Sequence, residues 1–231
     1  MNTYFNKNLS LFVLSLIVLF TTACSSSHNV KGRPFELSSL AKNDIDLISE
    51  THQQVIFTEL KQLAIKLYKR NPSEWKKSGH ESWEIAVDTI TGDPFPTVEG
   101  KSSIECIRLA FDDEFQGDRV KAYIVGLETM IFASYDEHRS FYLHNLLEAQ
   151  KLYDSARNLE LASWLLRTKN DKKGDLFLVS SNGANEINLS FERLFGKMIN
   201  TQDVLAQIMA DRNHRQIQYI IQTLATAFIP I

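Results

Sequence analysis

Six histidines and two cysteines are the side chains of this 231-residue chain best suited to ligate a metal or attack a substrate. Their spacing limits what they can do. His144 and Glu148 stand four apart, so on a helix they would share a face and offer an imidazole and a carboxylate to one ion. Ordinary surface neighbours have the same spacing. Metal-assisted hydrolysis would also need a third ligand from another element. His80-Glu81-Ser82-Trp83-Glu84 begins like a zinc-protease helix, but its fifth residue is Glu where the chemistry needs His. No G-x-S-x-G elbow, dinucleotide glycine motif or phosphate loop occurs. The sequence therefore assigns no catalytic residue and no cofactor, and His144 with Glu148 is its metal candidate.

Among the acids, Asp112-Asp113-Glu114 with Asp118 could split pKa values for acid–base work or offer oxygens to calcium. The D-x-[DN]-x-[DN]-G loop is missing, and a solvated helix junction explains the cluster, with Asp118 as a helix cap. Glu128 stands out differently, because it lies on the shoulder of an apolar stripe between Ile124 and Ile131. Arg157 sits similarly beside Tyr153 and Ala156, and the two are candidates for a half-buried ion pair that fixes helix register. His52, on an apolar helix stripe, reads as a partly buried, hydrogen-bonded histidine. Cys106 lies among Ile104, Ile107 and Leu109, which suits a buried small hydrophobe rather than a nucleophile with a nearby base.

The elements that must position these groups are helical. Ile45, Ile48, Val55, Ile56, Leu60, Leu63 and Leu67 recur at 3–4 spacing and predict a helix from about Ser39 to Arg70. Asn71-Pro72-Ser73-Glu74 is an N-terminal signature for a second helix, with a break point at Gly79 and an end near Gly92. Residues 92–102 form a Gly- and Pro-rich loop. A third helix starts at a Ser102/Glu105 capping box and ends by Phe115. A fourth covers Arg119 to Tyr135, and a fifth runs from after Ser140 to about Thr168. Leu176 to Leu189 predicts a short hairpin or an extended segment. Two helices follow, with Thr201 capping the second, and the apolar Phe228-Ile229-Pro230-Ile231 tail is expected to pack. The expectation is an all-α, single-domain, multi-helix bundle. Many aromatics could instead enclose an apolar cavity.

The N-terminus is read apart from this body. Leu9 to Phe20 is an uncharged apolar run of 12 residues, about 18 Å as helix. A hydrocarbon core of about 30 Å needs about 20 residues. With Lys7 ahead and Thr21-Thr22-Ala23 behind, the run reads as a secretory signal peptide. Ala23-Cys24 resembles the lipobox of bacterial lipoproteins, although Thr21 stands where that pattern more often has Leu. The resemblance implies cleavage before Cys24 and lipid on its sulfur and new amino group, the thiolate being the nucleophile. Ser25 in place of Asp after the cysteine implies, for a Gram-negative source, the outer membrane. For a single-membrane source it implies the cell surface. The organisation expected is a signal peptide at 1–23, a lipidated cysteine with a flexible tether at 24–39, and a helical domain at 40–231.

The first 23 residues hold one Lys and no acid, so residues 24–231 carry 24 basic and 28 acidic side chains, a net charge of −4. That balance supplies no nucleic-acid footprint and leaves anchoring to acyl chains. Asn158 to Ala162 and Ser190 to Lys197 give a general similarity to uncharacterised proteobacterial lipoproteins, which implies no activity. The function expected is a lipid-anchored periplasmic protein with a non-enzymatic interaction or assembly role, its partners being the membrane through Cys24 and an envelope protein. A carrier or sensor of an apolar ligand is the alternative.

Overall fold

The computed structural model describes residues 42–142, 147–180, 189–213 and 228–231, all within one unit, Leu40–Ile231. They form an all-α bundle: α1 (Asp44–Arg70), α2 (Pro72–Lys77), α3 (Trp83–Ile90), α4 (Ser103–Leu109), α5 (Arg119–Ser134), α6 (Ala149–Thr168) and α7 (Ser190–Asn213). No described helix is long and apolar enough to cross a membrane.

α1 begins later than its apolar pattern predicts because Asn43 stops it with a capping box. The Asn43 side chain accepts from the Asp46 amide, and Asp46 accepts from the Asn43 amide, each at 2.9 Å. Gly79, at φ +74°, divides the second predicted helix into α2 and α3. α5 has the expected cap, with Asp118 accepting from the Lys121 amide at 2.9 Å.

Several local signals are redirected to tertiary partners. Asn71 makes no side-chain cap to α2. It pairs with the backbone of Val179 in both directions, at 2.8 and 3.1 Å, and so pins an extended segment against α1. Glu74 accepts from the Arg119 amide at 2.7 Å, at the start of α5, instead of reaching back to Asn71. Ser102 makes no side-chain cap, and the Ser103 amide donates to Thr129 Oγ1 of α5. Thr201 caps nothing either, since α7 runs unbroken through it and its hydroxyl donates to the Lys197 carbonyl. The fifth predicted helix starts only at Ala149. Of the 176–189 segment, Leu176 makes an isolated bridge to Asn170, and residues 181–188 lie outside the described residues.

α1 and α6 flank α7, both antiparallel to it. The Glu59–Lys197 ion pair at 2.8 Å, with Lys66 over the Phe191 ring, sets the first direction; Arg157–Asp203 at 2.7 Å and Arg167–Glu192 at 3.9 Å set the second. α4 packs on α5, and α5 also meets α1 and α6. The core holds Tyr68, Tyr123, Tyr135, Phe141 and Phe195 fully buried, each large apolar group contributing about 1.5–3 kcal/mol on burial. At its centre Gln202 of α7 donates to Ser134 of α5 and Ser155 of α6 and accepts from Tyr135, all at 3.0 Å. Asn158 grips the tail as Asn71 grips residue 179, bonding both backbone groups of Ile229 at 2.7 and 2.8 Å. Phe228 is buried, so the tail packs as expected. Not every stripe residue is inside: Val55, Ile85, Trp164 and Val204 are exposed.

Candidate functional site

An open cleft of about 310 Å³ lies between α1, the 91–95 loop, α5 and the turn that follows it. Helical periodicity positions its first wall, because Gln54, Phe57, Thr58, Lys61 and Gln62 share one face of α1. Phe95, held between Pro94 and Pro96, stacks on Phe57 with ring centroids 5.7 Å apart and meets Phe132 edge-on at 5.0 Å. Arg139 lays its guanidinium over Phe95 at 4.3 Å and Phe132 at 4.8 Å, and its Nε pairs with Asp93 at 3.1 Å. Lys61 pairs with Asp88 at 2.8 Å.

Glu128 of α5 is the one acid lining this cleft. It is only 3 % exposed, and its Oε2 has no hydrogen-bond partner among the described residues. Burial pushes its carboxyl up to about 8, with the Arg139 charge pulling the other way. At neutral pH the group is therefore mostly a neutral acid, able to donate through its hydroxyl and accept through its carbonyl. It forms no ion pair with Arg157, the partner expected from sequence. Arg157 faces the other side of the bundle, pairing with Asp203 at 2.7 Å and Glu160 at 3.2 Å and stacking on Tyr153.

The other candidates fall elsewhere. Cys24 and His144 lie outside the described residues. Glu148 is the N-cap of α6 with extended backbone. Its carboxylate is exposed, 3.9 Å from Lys151. Among the described residues no group of three His, Cys, Asp or Glu converges as a metal site. Asp113 and Glu114 bond Lys172 at an exposed junction, and Asp112 caps the Glu114 amide. Asp118, buried, also accepts from Tyr68 and Ser78. Cys106 is fully buried with its thiol pushed up to about 12, an inert hydrophobe as read from sequence. His52 is partly buried, with Nδ1 2.9 Å from the Ile48 carbonyl.

Sequence reasoning singled out Glu128 but missed Arg139, Phe95 and Lys61. The Asp93-Pro94-Phe95-Pro96 run carried a usable signal, since an aromatic held between two prolines in a loop is preset to pack or bind. Arg139 carried none. No protein-family model, curated protein or solved structure matches the chain.

Proposed function

We propose that this protein is a lipid-anchored protein of the cell envelope whose helical body acts by binding rather than by catalysis. Cleavage before Cys24 and acylation there would hold the body at the periplasmic face of an outer membrane, or at the surface of a cell with a single membrane. The short uncharged run and Ala23-Cys24 support the anchor. The observation that carries the binding role is the Glu128 cleft, lined by a buried acid whose Oε2 has no hydrogen-bond partner among the described residues, by two stacked phenylalanines and by a guanidinium. A buried polar atom without a partner costs about 1–3 kcal/mol, which a ligand can recover. A carrier of a purely apolar ligand calls for a closed, dry cavity, whereas this cleft is open and charged.

A second reading, docking of a protein partner, is favoured by two exposed apolar side chains, Trp164 (47 % exposed) and Leu189 (64 %). Palmitate labelling of cells producing the full chain tests the anchor. The wild type is expected to take up label and fractionate with membranes, and the Cys24→Ala variant to do neither. Equal behaviour of the two would remove the anchor.

A further inference from the structure

The cleft's own inventory of donors and acceptors narrows what it can hold. Arg139 pairs its Nε with Asp93 at 3.1 Å, and its half-exposed guanidinium lines the cleft. A guanidinium edge with parallel N–H groups matches a carboxylate. Glu128, as a neutral acid, adds one O–H donor. The aromatic faces that would attract a ligand cation are already covered, since Arg139 lies over Phe95 and Phe132. Phe57, which also lines the cleft, stacks on Phe95 and adds apolar surface beside these donors. A volume of about 310 Å³ is at the lower end of ligand sites, roughly 300–1,000 Å³, so the occupant is small.

We infer that the Glu128 cleft binds a small carboxylate ligand with a flat apolar body, its carboxylate bridging the Arg139 guanidinium and the Glu128 carboxyl group. This rests on the binding role proposed above and adds the ligand class. It also makes binding proton-linked. Of the charged groups lining the cleft with Glu128, Lys61 on α1 pairs with Asp88 of α3, and Arg139 on the turn, whose charge acts on Glu128, pairs with Asp93 of the loop. On that turn Asp136 is held by Lys151, and the His138 ring tilts against Phe141. An anionic ligand selects protonated Glu128, so affinity is level below the folded pKa of about 8 and falls by up to about tenfold per pH unit above it.

Isothermal titration of the full chain in detergent, with 3-phenylpropionate, 3-phenylpropanamide and 2-phenylethylammonium as probes, tests this. The carboxylate is expected to bind best, with constant affinity from pH 6 to 7.5 and a decline above 8. Glu128→Gln should keep binding and lose the decline, while Arg139→Gln should bind at least tenfold more weakly in protein that still unfolds cooperatively. Preference for the ammonium probe, affinity that rises through pH 8, or an Arg139→Gln variant that binds normally would each overturn the inference, as would no binding of any probe. Preference for the ammonium or amide probe would remove the carboxylate assignment and leave the binding role standing, whereas no binding of any probe would remove both.

Discussion

Glu128 and Arg139 line the same cleft without forming an ion pair: Arg139 turns its Nε to Asp93, and Glu128 Oε2 is buried without a hydrogen-bond partner among the described residues. Desolvation therefore dominates the acid, and its carboxyl sits near 8 instead of 4.5. Between those pH values the folded chain keeps a proton that the unfolded chain has lost. Stability from this group is thus full below about pH 4.5 and is lost as pH rises through about 8, a decline on the order of a few kcal/mol. Glu128→Gln should remove that decline and raise the melting temperature above pH 8, which thermal denaturation from pH 5 to 9 would register. A pH slope unchanged in the variant would count against the buried acid.

Gly126 is where α4 and α5 meet backbone to backbone. A Cβ there would lie 2.6 Å from the Ile107 amide nitrogen and 2.8 Å from the Ser103 carbonyl oxygen, neither of which can rotate away. Gly126→Ala should destabilise by about 1–3 kcal/mol through overpacking. Gly196, on the exposed face of α7, has nothing within 4 Å of a Cβ. Gly196→Ala should stabilise by about 0.5–1 kcal/mol through helix propensity. Urea midpoints moving in opposite directions would bear out both.

Gln202 satisfies three buried hydroxyls from two other helices. Gln202→Ala leaves the buried Tyr135 and Ser155 hydroxyls without this partner, Ser134 keeping its bond to the Ile131 carbonyl, at a cost of about 2–4 kcal/mol. A chemical-denaturation loss under 0.5 kcal/mol would show that the network is not closed as described.

Asn158 holds the C-terminal tail by two hydrogen bonds to Ile229. Asn158→Ala should release it, seen as faster hydrogen exchange at the Ile229 amide with little change elsewhere. Slow exchange in the variant would mean that Phe228 packing alone keeps the tail in place.

Helix type was legible in the sequence wherever the 3–4 apolar spacing was long, as in α1 and α5, but helix number was not: one predicted helix divides at Gly79, and α7 runs through the break expected at Thr201. Boundaries were less legible, because the capping residues serve two masters. Asn71 and Glu74 sit where local capping is chemically possible, yet each bonds a segment distant in sequence, and Ser102 makes no side-chain cap while the adjacent Ser103 amide donates to Thr129. A one-dimensional pattern carries no record of which partner wins. The same holds at the site. Glu128 was visible because an acid beside Ile124 and Ile131 must be desolvated. Its neighbour was not, since Arg139 reaches the cleft through a turn whose path no periodicity encodes. Arg157 looked equivalent on its own helix, but the α6–α7 packing turns it to Asp203. The exposed Val55, Ile85, Trp164 and Val204 show the converse, apolar residues on a predicted inner stripe that packing leaves outside.

Carbon-13 NMR of carboxyl-labelled glutamate, with the Glu128 resonance assigned by its loss in Glu128→Gln, measures the protonation on which the cleft's chemistry depends. One glutamate is expected to titrate with a midpoint near 8. A Glu128 midpoint near 4.5 would mean an ordinary ionised carboxylate at neutral pH, and would contradict the neutral acid from which the cleft's ligand preference follows.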